Sequence, residues 1–151
     1  MNDQGTSHAA GRASTTLTLD AMREQVLALH RDDIAVQAAK IEIGEITADS
    51  LTLTQTVRPE MLNGLGVLHG GYTFFLADTA FAYRMAMTGT GHFSRSAEII
   101  FVAAARAGAT ISATAVVRTV FGRSAICDVT VRDDTGAVIA EVRVNGVAAR
   151  G

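Results

Sequence analysis

The sequence predicts an α+β fold in which an antiparallel sheet wraps one long, mostly apolar helix. Three observations predict it. Residues 63–87 form a glycine-punctuated loop, then His69-Gly70-Gly71, then a helical run over 72–87 that is apolar nearly all round (Phe74, Phe75, Leu76, Ala77, Ala80, Phe81, Ala82, Met85, Ala86). The runs on either side alternate like strands, two before the helix and four after it. A helix this apolar needs cover on most sides, which one sheet face cannot supply. The burial therefore calls for a second copy of the chain.

Taken in order, residues 1–17 are polar and rich in Gly, Ser, Thr and Ala, which predicts a disordered tail ahead of a single domain over 18–151. Leu19, Met22, Val26, Leu27 and Leu29 fall at helical spacing over 19–30, with Thr18 or Asp20 as the cap. Residues 35–47 turn to short-period alternation at Ile41 and Ile43 and read as a strand. Ala48-Asp49-Ser50 is a turn. Leu51, Leu53, Gln55 and Val57 then alternate with Thr52, Thr54 and Thr56, the pattern of a half-buried strand, which Pro59 ends. Thr88-Gly89-Thr90-Gly91 closes the apolar helix. Strands follow over 93–103, 110–120, 124–132 and 137–148. Turns at Phe121-Gly122-Arg123 and Asp133-Asp134-Thr135-Gly136 imply an antiparallel meander.

Composition narrows the function. The 151 residues are 48% hydrophobic and 19% charged with a net charge of −2, which fits one globular domain and leaves no basic footprint for nucleic acid. The single cysteine, Cys127, fits a reducing, cytoplasmic setting and reads as a small core residue. No charged-then-apolar leader opens the sequence, and the longest apolar run carries Asp78 and Arg84, so neither a secretory signal nor a membrane span is expected. The four histidines have no ligand spacing, so no metal site is expected.

The chemistry gathers on the long helix. Two glycines at its start let another group approach bare backbone N–H donors, and one carboxylate, Asp78, sits in its apolar middle. An acid placed there costs on the order of several kcal/mol to desolvate unless something needs it. Donors at a helix start together with an isolated carboxylate can serve acyl transfer. With the helix starting at Gly70 or Gly71, Asp78 lies about 10–12 Å along the axis, too far to act on an atom held at the start of its own helix. If both groups serve one site, two copies of the chain must supply them, through antiparallel helices across a two-fold axis.

The run Met61-Leu62-Asn63-Gly64, then His69-Gly70-Gly71, then Leu76-Ala77-Asp78-Thr79-Ala80-Phe81-Ala82-Tyr83 resembles the hotdog-fold acyl-CoA thioesterases of the phenylacetic acid degradation type. The similarity extends more weakly through the strands to about residue 148. It implies a curved antiparallel sheet around one long helix, homodimers with shared sites, and homotetramers of two dimers. It implies Asp78 as nucleophile or as general base on water, and the Gly70 N–H as the donor that polarises the thioester carbonyl. It implies Asn63 as a polar group near that carbonyl and the water. Phenylacetyl-CoA and its ring-hydroxylated forms are the implied substrates. Coenzyme A is then part of the substrate, and no cofactor is implied.

Each of these residues also has a plainer reading. Asp78 could be a structural acid, Gly70 and Gly71 could serve close packing, and Asn63 could cap its loop. His69 is either a general base or a structural residue at the helix start. Tyr72 and Phe75 either line an aromatic acyl pocket or pack in the core. Gly71, Thr79 and Phe101 complete the candidate substrate contacts. Arg123 and Ser124 could meet the phosphates of coenzyme A or simply be surface. The sequence departs from the resemblance after the helix: where an aromatic-Leu-Arg-Pro pattern is usual, it has Phe101-Val102-Ala103-Ala104-Ala105-Arg106, and Glu98 has no assigned role. A non-catalytic acyl-CoA binding or sensing protein is the alternative.

Overall fold

The computed structural model of the protein describes residues 17–150. The N-terminal tail expected from composition lies, apart from residue 17, outside the described residues. Helix α1 (Leu19–Asp32) starts where Thr18 Oγ1 accepts the Ala21 N–H at 3.2 Å, as its capping position predicts. It buries Val26.

The strand expected over 35–47 divides in two. Ile34–Ala39 is a short helix, α2, and only Glu42–Ile46 is strand β1. Asp33 caps α2 by accepting the Val36 N–H at 3.1 Å, and Lys40 ends it in the left-handed region at φ 55°. The run Ala-Val-Gln-Ala-Ala forms a helix once capped, and it buries Val36. Strand β2 (Ser50–Thr56) buries Leu51, Leu53 and Gln55 on one face. A single 3₁₀ turn, Pro59–Met61, leads through the Asn63 loop to helix α3 (Gly70–Ala86). Four strands follow: β3 (His92–Phe101), β4 (Thr110–Phe121), β5 (Ser124–Arg132) and β6 (Val138–Ala148).

All pairings are antiparallel in the order β1-β2-β4-β5-β6-β3. The expected meander therefore holds for β4-β5-β6, but β3 lies at the far edge beside β6. Tight turns force β4 onto β5 and β5 onto β6. The longer connection over 102–109 has no such turn and lets β3 settle elsewhere.

The inner face of the sheet is built from small and branched residues: Ala113 and Ala115 on β4, Ala125, Cys127 and Val129 on β5, and Val142 and Val144 on β6. Their low profile lets α3 approach and bury Leu76, Ala77, Ala80, Phe81 and Tyr83. At Gly146 on β6 the approach is so close that an added Cβ would overlap the Phe81 ring. The opposite stripe of α3 has less cover: Gly71 is exposed, and Phe75, Asp78 and Ala82 are only half-buried. Strand β3 is exposed along most of its length, including Phe93, Ile100 and Phe101.

Candidate active site

The start of α3 is held by a loop that ties itself down. The Asn63 N–H donates to Val67 O at 2.8 Å, His69 N–H to Met61 O at 2.9 Å, and Leu68 N–H to Ala105 O at 2.8 Å. The Asn63 side-chain oxygen accepts the N–H groups of Leu65 (2.9 Å) and Val67 (3.4 Å). With that oxygen engaged, what Asn63 still has to offer is its NH₂ group, a donor.

His69 is the N-cap of α3. Its Nδ1 accepts the Gly71 N–H at 3.0 Å, and its carbonyl accepts the Tyr72 N–H at 3.0 Å. Among the described residues the Gly70 N–H donates to nothing. A bare N–H at the positive end of a 17-residue helix is a ready anion or oxyanion donor. The Phe101 ring lies directly on Gly70: a Cβ at that position would stand 2.8 Å from Phe101 Cζ. Only glycine admits the ring there.

A groove of about 460 Å³ opens at this point, lined by Asn63, Gly70, Thr73, Phe101, Ala104 and Ile139. The chain over 102–105, where the sequence departs from the usual pattern, forms much of its wall. A second hollow of about 310 Å³ is lined by His69, Gly71, Tyr72 and Phe75. The helix start thus brings together Asn63, Gly70 and Phe101 in one recess, and His69, Gly71, Tyr72 and Phe75 in another.

Asp78 lines neither recess. It lies two turns along α3, about 12 Å from Gly70 along the axis. Its Oδ1 is buried and has no hydrogen-bond partner among the described residues. A buried acceptor without a donor costs free energy that a single chain does not recover. Thr79 is buried and donates its hydroxyl to Phe75 O at 2.8 Å, within its own helix.

Arg123 and Ser124 stand apart from the helix start. Arg123 Nη2 donates to Ala148 O at 2.6 Å. Ser124 lines a hollow with Arg95, Ser96, Phe121 and Asn145. Strand alternation turns Ser124 away from α3, because its neighbour Ala125 is the one facing the core. Glu98 pairs in register with Arg143 on β6, beside the Arg118–Asp128–Arg143 ion pairs. Thr73, inside the groove, carries no motif signal in the sequence; only the packing reveals it.

Among the described residues no His, Cys, Asp and Glu gather as a metal site. No helix there is long and apolar enough to cross a membrane.

The family model of the thioesterase superfamily matches residues 65–140, half of the chain. The chain belongs to the thioesterase superfamily. The matched region runs from the Asn63 loop through α3 and the strands to β6. Acyl-coenzyme A thioesterase PaaI of Escherichia coli strain K12 is 38% identical over 91 residues, 60% of this chain and 65% of that protein. The structure of E. coli PaaI, from the phenylacetic acid degradation operon, superposes with a TM-score of 0.83 at 30% identity, covering 86% of this chain and 94% of that one. A mutant of the phenylacetic acid degradation protein PaaI of Thermus thermophilus gives a TM-score of 0.73 at 25% identity over 78% of this chain and 100% of that one. The resemblance read from Asn63, His69-Gly70-Gly71 and residues 76–83 is borne out, and the six-stranded sheet around α3 is the hotdog fold.

Proposed function

We propose that this chain is an acyl-CoA thioesterase of the PaaI type, hydrolysing phenylacetyl-CoA, hydroxyphenylacetyl-CoA or a related thioester to the free acid and coenzyme A. The observation that carries the reading is a pair of unpartnered groups on one helix: the Gly70 N–H at its start and the buried Asp78 Oδ1 in its middle. Two copies with α3 antiparallel across a two-fold axis would bring Asp78 of one to the groove at Gly70 of the other, giving two shared sites per homodimer. The half-buried stripe of α3 and the exposed strand β3 support such pairing. Pairing of dimers into homotetramers follows the family resemblance, and a cytoplasmic location follows the single cysteine.

In this site the thioester carbonyl accepts the Gly70 N–H, with the helix dipole behind it and the Asn63 NH₂ beside it. As the carbonyl is attacked, its oxygen becomes an oxyanion that these donors stabilise. Losing one such donor typically costs about 3–4 kcal/mol. The partner's Asp78 either takes a proton from the attacking water or attacks the carbonyl carbon itself. Collapse of the tetrahedral intermediate breaks the C–S bond. In the general-base route the proton taken by Asp78 passes to the sulfur and the free acid forms directly. In the nucleophile route the thiolate takes a proton from solvent, and water then hydrolyses the mixed anhydride left on Asp78 to the free acid. His69 Nδ1 is occupied by the cap, so this scheme gives that nitrogen a structural duty.

The test is release of free thiol from phenylacetyl-CoA. Asp78→Asn keeps the shape of the side chain and should lower turnover at least ~100-fold while the thermal unfolding transition persists. Wild-type-like turnover by Asp78→Asn would remove Asp78 from the mechanism. Tight binding of acyl-CoA by the wild type with no thiol released would turn the reading toward a binding protein.

A further inference from the structure

We infer that the Thr73 hydroxyl reads an oxygen carried on one of the first few carbons of the acyl group, and so sets which short acyl thioesters the groove prefers. The inference rests on the thioesterase reading of that groove. Thr73 stands in the core-facing stripe of α3 with Leu76, Ala77 and Ala80, all hydrocarbon, and is only 2% exposed. It lines the groove that holds Gly70 and Asn63.

The neighbouring threonines show what its hydroxyl would do if it had only a structural role. Thr79 donates to Phe75 O at 2.8 Å and Thr88 to Met85 O at 2.7 Å, each bonding back to its own helix. Thr73 makes no such bond, nor any other side-chain hydrogen bond, among the described residues. Thr73 Oγ1 is not among the sealed, partnerless polar atoms, so the hydroxyl reaches the open space of the groove, where a ligand oxygen can take the place of water. Around it the wall is carbon: Val67, Leu68, Phe101, Val102, the alanines over 103–105, and Ile139. Apart from Asn63, no other side chain in this lining carries a polar atom.

Position narrows what Thr73 can read. It lies three residues beyond Gly70, about 4.5 Å along the helix axis, and a helical side chain leans back toward the N-terminal turn. A thioester whose carbonyl rests on the Gly70 N–H therefore presents the carbons nearest the carbonyl to Thr73. The para oxygen of a phenylacetyl ring extends farther than this.

The experiment compares two matched substrate pairs, 3-hydroxybutyryl-CoA with butyryl-CoA and 4-hydroxyphenylacetyl-CoA with phenylacetyl-CoA. Wild type, Thr73→Val and Thr73→Ser are each measured for kcat/KM by thiol release and for equilibrium binding of the same esters by calorimetry. Thr73→Val keeps the side-chain shape and removes the hydroxyl. It should lower the hydroxylated-to-plain ratio about tenfold for the short pair and leave the ring pair's ratio in place, while Thr73→Ser retains the wild-type ratios. A short-pair ratio that Thr73→Val does not change, or a change confined to the ring pair, overturns the inference. The two readings fail separately. If no variant releases thiol, the thioesterase reading falls, yet the binding ratios still decide the role of Thr73.

Discussion

Gly70 and Gly146 each carry an aromatic ring where a side chain would begin, and the two rings predict opposite outcomes. Phe81, against Gly146, is buried in the core with nowhere to move. Gly146→Ala should cost about 1–3 kcal/mol by overpacking, read as a lower thermal midpoint, and shortening Phe81 to Leu in the same chain should recover part of it. Phe101, against Gly70, is 55% exposed and can swing aside. Gly70→Ala should therefore leave the thermal midpoint nearly unchanged while thioester turnover falls, because the displaced ring changes the groove. Cys127 supplies a pH-dependent case. Burial pushes its thiol up to about 11, with Arg84 pulling the other way. In the unfolded chain the thiol ionises near its ordinary value, so this contribution to stability is present below that value and fades as pH rises toward 11. At about pH 8 an aromatic disulfide reagent should label Cys127 only after denaturation; rapid labelling of the native protein would contradict its burial.

The elements around α3 are joined by few but specific bonds. Tyr83, on the buried side of α3, donates its hydroxyl to Asp33 Oδ2 at 3.2 Å, while Asp33 Oδ1 caps α2. One carboxylate thus ties the central helix to the α1–α2 corner. Burial first, and the Asp33 charge second, raise the Tyr83 hydroxyl well above the ordinary tyrosine value, so it stays protonated and donating. Tyr83→Phe should cost about 1 kcal/mol and speed amide exchange in α1 and α2 more than in the sheet. Equal exchange in both would show that this bond does not hold the corner. The corner also shows where pattern reading reaches its limit. Alternation at Ile41 and Ile43 announces β1, but residues 34–39 form a helix because of a cap at Asp33 and a left-handed stop at Lys40. Both are tertiary choices that a short run of Ala, Val and Gln leaves open.

At the scale of the whole molecule, α3 carries a donor without a partner at Gly70 and a buried acceptor without one at Asp78 among the described residues, and the geometry of a single chain keeps the two apart. This makes the shared site testable by mixing. Gly70→Pro removes the N–H at a helix position that tolerates proline, and Asp78→Asn removes the acid. Each variant alone should be nearly inactive. Co-refolded in equal amounts, half the dimers are mixed, and each mixed dimer holds one site with both wild-type groups. Thiol release should return to about a quarter of the wild-type level. No recovery from well-folded mixed dimers would place the two groups in separate sites.

Much of this protein is written in local pattern. The apolar run after His69-Gly70-Gly71 announces the central helix, alternation announces the strands, and the spacing along the helix already says that Gly70 and Asp78 of one chain cannot meet. Other features depend on contacts between distant residues. The place of β3 beside β6 follows from which connections are tight. That Asn63 is left with its NH₂ group to offer follows from the Leu65 and Val67 N–H groups occupying its oxygen. The exposure of Thr73 to the groove follows from how α3 meets Phe101 and Ile139. Periodicity records which face of an element is apolar, and that is a property of neighbours in sequence. Which polar atoms are left without a partner is decided only when the chain has closed on itself, because every hydrogen bond made elsewhere in the fold removes one candidate from the site.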